Sequence, residues 1–192
     1  MKNKPNHPSA VSRRQFVKRS SLAAATAAAA VSFPSIVRSQ ETMAINAAVI
    51  GVGGRGSGAG QNFLEAAKAA GADGKVLAVA DIFEGQAKRG KDLYGVPEEK
   101  CFSGFDAYLK AIETPGVNYV ILATPPGFRP AFFKAAIDAG KHVFMEKPVA
   151  VDGPGCRIMY AAYEEAVKKN LKVAAGTQRR HQASYIETIK RI

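Results

Sequence analysis

An apolar run, Ala47-Ala48-Val49-Ile50, stops abruptly at Gly51-Val52-Gly53-Gly54-Arg55-Gly56, and no other stretch restricts the fold as strongly. The run reads as a β-strand and the glycines as the turn into a helix. Gly51, Gly53 and Gly56 satisfy G-x-G-x-x-G. In that pattern the first glycine permits a tight turn, the second lets backbone approach a pyrophosphate, and the third lets helix pack closely on strand. A helix that starts at such a loop aims its N-terminal N–H groups and the positive end of its dipole at an anion. Gly54 and Arg55 lie between the second and third glycines and are grouped with them as cofactor contacts.

A glycine-rich loop arises by chance in a chain with 18 Gly, so its context decides. Phe63, Leu64, Ala67 and Ala70 follow at helical spacing, and a second apolar run over 75–80 ends in Asp81, 25 residues past Gly56. An acid about 20 residues after the loop is placed to accept hydrogen bonds from the adenosine ribose hydroxyls. Strands are expected at 47–51, 75–80, 100–102, 119–123, 142–145 and 171–175. Helices are expected at 56–70, 84–94 and 105–112, from Pro130 until Gly140, and after an Asp152 cap. The alternation predicts an α/β fold, a doubly wound parallel sheet with crossover helices, over residues 44–175.

Ligands of such sheets sit beyond the carboxyl ends of the strands, which singles out two more segments. Thr124-Pro125-Pro126 follows the fourth strand, and its stiff, donor-poor backbone suits a wall against flat rings. Glu146-Lys147-Pro148 follows the fifth. A charged pair at the end of a central strand is costly unless it is paired or used. The bland alternatives are a proline loop without contacts and a structural ion pair between Glu146 and Lys147.

The formal net charge of +11 is unevenly spread: residues 1–40 hold seven of the 27 Lys and Arg and no acid, leaving 20 basic against 16 acidic residues. No basic stripe interleaved with aromatics remains, so nucleic acid is not expected as a partner. Cys101 and Cys156 are too few for a zinc site or a disulfide framework and are expected to be buried thiols; no metal site is expected. Ser12-Arg13-Arg14-Gln15-Phe16-Val17-Lys18 precedes an alanine-rich apolar run over 22–31 that is short of the ~20 residues a membrane span needs. Residues 1–39 therefore resemble a twin-arginine export signal. That implies the twin-arginine translocase as partner and a periplasmic or other extracytoplasmic destination.

Taken together, the glycine loop, Asp81, Ala123-Thr124-Pro125-Pro126, and Ala139-Gly140-Lys141-His142-Val143 leading into Glu146-Lys147-Pro148 resemble the N-terminal part of the Gfo/Idh/MocA oxidoreductases. The resemblance spans residues 44–192. It implies a Rossmann NAD(P)-binding domain, hydride transfer at a carbon of a sugar or cyclitol, and a homo-oligomer in the full-length form. It places Lys147 between nicotinamide and substrate, with Glu146 fixing that lysine or its loop. Relatives continue into a second α/β domain, so residues 176–192 are expected to begin a substrate domain that this chain does not complete. Asp81 is followed by Ile82-Phe83-Glu84, with no arginine directly after it for a 2′-phosphate; this favours NAD, with NADP possible through Lys88 or Arg89. His181 is the candidate proton acceptor. Arg179 and Arg180 are candidates to hold substrate hydroxyls or pyrophosphate. Two other readings fit the same residues: an NAD-dependent glycoside hydrolase acting by transient oxidation and elimination, and a nucleotide-binding module without catalysis.

Overall fold

The structure, a computed structural model, describes residues 44–192. The expected export signal, residues 1–39, lies outside the described residues. Six parallel strands form one sheet in the order β3-β2-β1-β4-β5-β6: β1 Ala44–Ile50, β2 Asp73–Asp81, β3 Cys101–Ser103, β4 Tyr119–Leu122, β5 His142–Glu146 and β6 Val173–Gly176. The crossovers are α1 Gly54–Ala69, α2 Glu84–Tyr94, α3 Ala107–Glu113, α4 Arg129–Asp138 and α5 Gly153–Lys168; α6 Gln178–His181 and α7 Ala183–Arg191 follow β6.

Strand β1 is apolar throughout its second half because both its faces are covered, as expected of a central parallel strand. Ala47 and Val49 face one layer, with Val52, Ala59, Val76, Val79 and Ile121, against which Phe63 and Leu64 of α1 pack. Ala48 and Ile50 face the other, which receives Ala111 and Ile112 of α3, Phe133, Ala136 and Ile137 of α4, and Ala162 and Ala166 of α5. The two layers follow from the period-two alternation of a strand. A register shift sits between the Ala47–Val76 and Ala48–Ala78 pairs, where Leu77 is the extra residue of β2.

Helix boundaries follow local chemistry. Gly95 ends α2 in the left-handed conformation at φ 65°, and the Asp152 carboxylate caps α5 by accepting from the Gly155 N–H at 2.6 Å. Tyr94, at the end of α2, donates its hydroxyl to the Ser57 carbonyl of α1 at 2.7 Å, and burial pushes its phenol up to about 12. The folded chain thus holds the proton more tightly than the unfolded one, whose phenol titrates near pH ~10. This contribution to stability is complete below pH ~10 and is lost as the pH rises through the folded value. Tyr94→Phe is expected to lower stability by about 1 kcal/mol at neutral pH and to remove this part of the alkaline decline, read from urea titrations at a series of pH values.

Two expectations are corrected. Cys156 is exposed on α5 and Cys101 only partly buried, so neither is a fully buried thiol. Position 156 lies on the outer face of a surface helix, whose inner face is taken by Ala162 and Ala166. The sixth strand runs over Val173–Gly176 rather than 171–175, because its partners on β5 are Val143 to Glu146.

Candidate functional site

Sheet order reverses at β1, whose neighbours are β2 on one side and β4 on the other. In a doubly wound sheet this is where a crevice opens beyond the strand ends. Gly51 leaves β1 with φ 86°, in the left-handed region, and its N–H donates to the Ala80 carbonyl at 2.8 Å. A Cβ there would stand 2.8 Å from the Thr124 nitrogen. At Gly56 a Cβ would stand 1.7 Å from the Gly51 carbonyl oxygen, so the first turn of α1 rests directly on the strand end. Beside Gly53 and Gly54, by contrast, a Cβ would meet nothing within 4 Å. The mouth of α1 is therefore open, and the N–H groups of its first turn have no intrahelical acceptor.

Asp81 closes β2 and serves the turn as well as the crevice. Its Oδ2 accepts from the Val52 N–H at 2.7 Å and its Oδ1 from the Phe83 N–H at 3.0 Å. The first bond ties the loop between Gly51 and Gly53 to the neighbouring strand. Asp81 lines an apolar cleft of about 500 Å³ together with Gly51, Gly53, Phe83, Phe105, Tyr108 and Phe128. Gln86 and Thr124 also line it, and the Gln86 Oε1 and Thr124 Oγ1 are buried without a hydrogen-bond partner. Lys88 pairs with Glu84 at 2.6 Å on an exposed helix surface.

Ala123, Thr124 and Pro125 also line a second cleft, of about 710 Å³, with Pro126, Arg55, Glu146 and Lys147 on its walls and Arg179 and Arg180 at its β6 side. Glu146, the last residue of β5, is buried against Gly176, where a Cβ would meet its Oε1 at 2.7 Å. Its Oε1 accepts from Arg55 Nε at 2.8 Å and Nη2 at 2.5 Å. The alternative of a structural ion pair between Glu146 and Lys147 is not what the structure shows: Glu146 pairs with Arg55, which bridges the mouth of α1 to the end of β5. Among the described residues Lys147 has no ion-pair partner, and its exposed side chain lines the cleft. The Lys147–Pro148 peptide bond is cis.

His181 is exposed on α6 and lines a different, mainly apolar groove with Phe63, Tyr119 and Phe144. Among the described residues no imidazole joins Lys147: His142 lies at the opposite, amino end of β5, with its Nδ1 accepting from the Lys172 N–H at 2.9 Å.

The sequence reading passed over Arg129. Its side chain is 2 % exposed at the first turn of α4. Nη1 donates to the Glu146 carbonyl at 2.6 Å and to the Pro148 carbonyl, and Nη2 donates to the Thr124 carbonyl. Burial pulls this guanidinium below its ordinary range, and the Glu146 carboxylate acts in the opposite sense. A sequence signal existed: a cation in the first turn of a helix opposes the helix dipole. Gln86 was passed over too, because nothing local separates it from a solvated helix residue.

These features suit a dinucleotide. An open helix mouth for pyrophosphate, an acid on the wall of an apolar cleft, and a second cleft beyond the same strand ends define a dinucleotide-binding α/β domain. Residues 45–175 match the Gfo/Idh/MocA oxidoreductase family with an NAD-binding Rossmann fold, and the chain belongs to it. An inositol 2-dehydrogenase from Gluconacetobacter diazotrophicus is 30% identical over 140 residues, covering 72% of this chain and 40% of the relative. A scyllo-inositol dehydrogenase from Lactobacillus casei, solved with NAD(H) and scyllo-inositol, superposes with a TM-score of 0.62 at 23% identity, covering 77% of this chain and 40% of that one. A 3-ketoreductase from Actinomadura kijaniata, solved with NADP, superposes with a TM-score of 0.60 at 23% identity, covering 77% and 43%. The chain thus spans about 40% of the length of the relatives it matches.

Proposed function

We propose that this chain is the cofactor-binding half of an exported NAD(P)-dependent oxidoreductase that moves a hydride between nicotinamide and a carbon of a sugar or cyclitol. The observation that carries the reading is that Lys147 and Thr124-Pro125-Pro126 line one cleft, beyond the same carboxyl ends of the strands as the glycine turn. The nicotinamide supplies the hydride acceptor or donor. The N–H groups behind Gly53, Gly54 and Arg55 would hold the pyrophosphate, Asp81 the adenosine ribose, and the proline wall a flat ring. Lys147 would donate to the substrate hydroxyl and stabilise the negative charge that builds on its oxygen, an effect of roughly 3 kcal/mol. Arg179 and Arg180 would hold further hydroxyls. The inositol dehydrogenases among the relatives support a cyclitol or sugar as substrate class. Export through the twin-arginine translocase rests on residues 1–39.

NAD is preferred to NADP in this reading. The Asp81 carboxylate accepts hydrogen bonds from free ribose hydroxyls and repels a phosphate on them, and Lys88 is already engaged by Glu84. Calorimetric titration of the 192-residue chain tests this. NAD is expected to bind saturably and more tightly than NADP, and Asp81→Ala to weaken NAD by roughly 10- to 100-fold while narrowing the gap to NADP. A chain that is folded by circular dichroism yet binds neither nucleotide would overturn the reading.

A further inference from the structure

Arg129 is the most buried charged side chain among the described residues, and it meets no carboxylate at ion-pair distance there. Its Nη1 and Nη2 donate to backbone carbonyls instead, while Nε is buried without a partner among the described residues. Thr124 belongs to the loop after β4, Glu146 ends β5, and Pro148 lies in the turn that follows it. Thr124, Pro125 and Pro126 after β4 and Glu146 and Lys147 at the end of β5 line the second cleft together. At and just beyond the strand ends, a buried carbonyl needs a donor. Stability alone does not account for the choice, because a buried ionic group is often matched or bettered by an apolar side chain of similar volume. Nor does the helix, since a cation at this end of α4 opposes the dipole. What the guanidinium offers is its shape: a rigid planar fork whose separate nitrogens reach two loops at once, which the single ammonium of a lysine does not reproduce.

We infer that Arg129 is a positioning residue that fixes the separation of the Thr124-Pro125-Pro126 wall from the Glu146-Lys147-Pro148 turn, and thereby sets where the Lys147 ammonium stands relative to the nicotinamide ring. The inference rests on reading the second cleft as the nicotinamide end of the site. Arg129 makes no bond to Asp81 or to the glycine turn; its one link to the first cleft, which would take the adenosine half, is the Thr124 carbonyl, whose residue lines both clefts.

The two ends of the site can be probed separately in the 192-residue chain. AMP reports on the adenosine end, and the fluorescence of NADH reports on how its reduced ring is held. Arg129→Met, which keeps much of the volume, is expected to weaken NADH by about tenfold or more and to abolish its change in emission, with AMP affinity altered by less than about threefold. Arg129→Lys is expected to fall between this variant and the parent. If Arg129→Met fails the circular dichroism test of folding, Arg129→Lys decides alone, by the same split between NADH emission and AMP affinity. Unchanged NADH emission in a folded variant would overturn the inference, and so would equal losses of AMP and NADH, the mark of a purely structural residue. If the parent chain binds NADH with no change in ring emission, the reading of the second cleft itself has failed and the inference falls with it.

Discussion

Gly56→Ala is expected to cost the chain its nucleotide binding and about 3 kcal/mol of stability. The added methyl would stand 1.7 Å from the Gly51 carbonyl oxygen, well inside van der Waals contact, and that neighbour is backbone. Relief requires α1 to lift from the end of β1. Lifting moves its N–H groups away from the place where a pyrophosphate would sit, so affinity falls along with stability. Calorimetry with NAD and thermal unfolding followed by circular dichroism would measure the two losses. Gly54→Ala is the matched control: its Cβ would meet nothing within 4 Å, and the position is the first of the helix. Little loss of stability is expected there. Equal behaviour of the two variants would contradict the packing argument.

In protein that turns over its substrate, Lys147→Met is expected to lower kcat by about 10²- to 10³-fold while NAD affinity changes by less than about threefold. The reason is differential. A cation aimed at the substrate oxygen matters most when that oxygen carries the negative charge of the transition state, and much less when it is a neutral hydroxyl. Lys147 is available for this because Glu146, its neighbour in sequence, is already committed to Arg55. Steady-state rates read from nicotinamide absorbance, with calorimetry for the cofactor, would check the split. An unchanged kcat would remove Lys147 from the chemistry, and a loss confined to NAD affinity would make it a cofactor contact alone.

The fold was legible in the sequence where short-range physics governs it. Helix α2 runs over Glu84–Tyr94 as expected, because Gly95 supplies a left-handed stop directly after it. The alternation of apolar runs with helical spacing was enough to predict the parallel sheet, which the order β3-β2-β1-β4-β5-β6 and the family match bear out. The glycine pattern is likewise local: every atom that forbids a side chain at Gly56 within 3 Å belongs to Gly51, five residues away.

Side-chain partnerships were not legible, because they depend on which strand ends the topology brings together. Glu146 stands beside Lys147 in sequence yet pairs with Arg55, 91 residues away. Asp81 was read as a ribose ligand, but its bond to the Val52 N–H, 29 residues back, is visible only once β1 and β2 are neighbours. Arg129 shows in sequence only as a cation in the first turn of a helix, and it is the adjacency of β4 and β5 that lets it bridge the loop after β4 to the end of β5. His181, chosen because an imidazole can take a proton, lies on a different groove from Lys147. By itself, then, the sequence determined the class of fold, the phosphate turn and the strand ends at which a ligand would sit, since periodicity and glycine sterics act over a few residues. The tertiary structure alone decided which charges meet and which stay open to the cleft, since the crossing over at β1 joins residues that no local pattern relates.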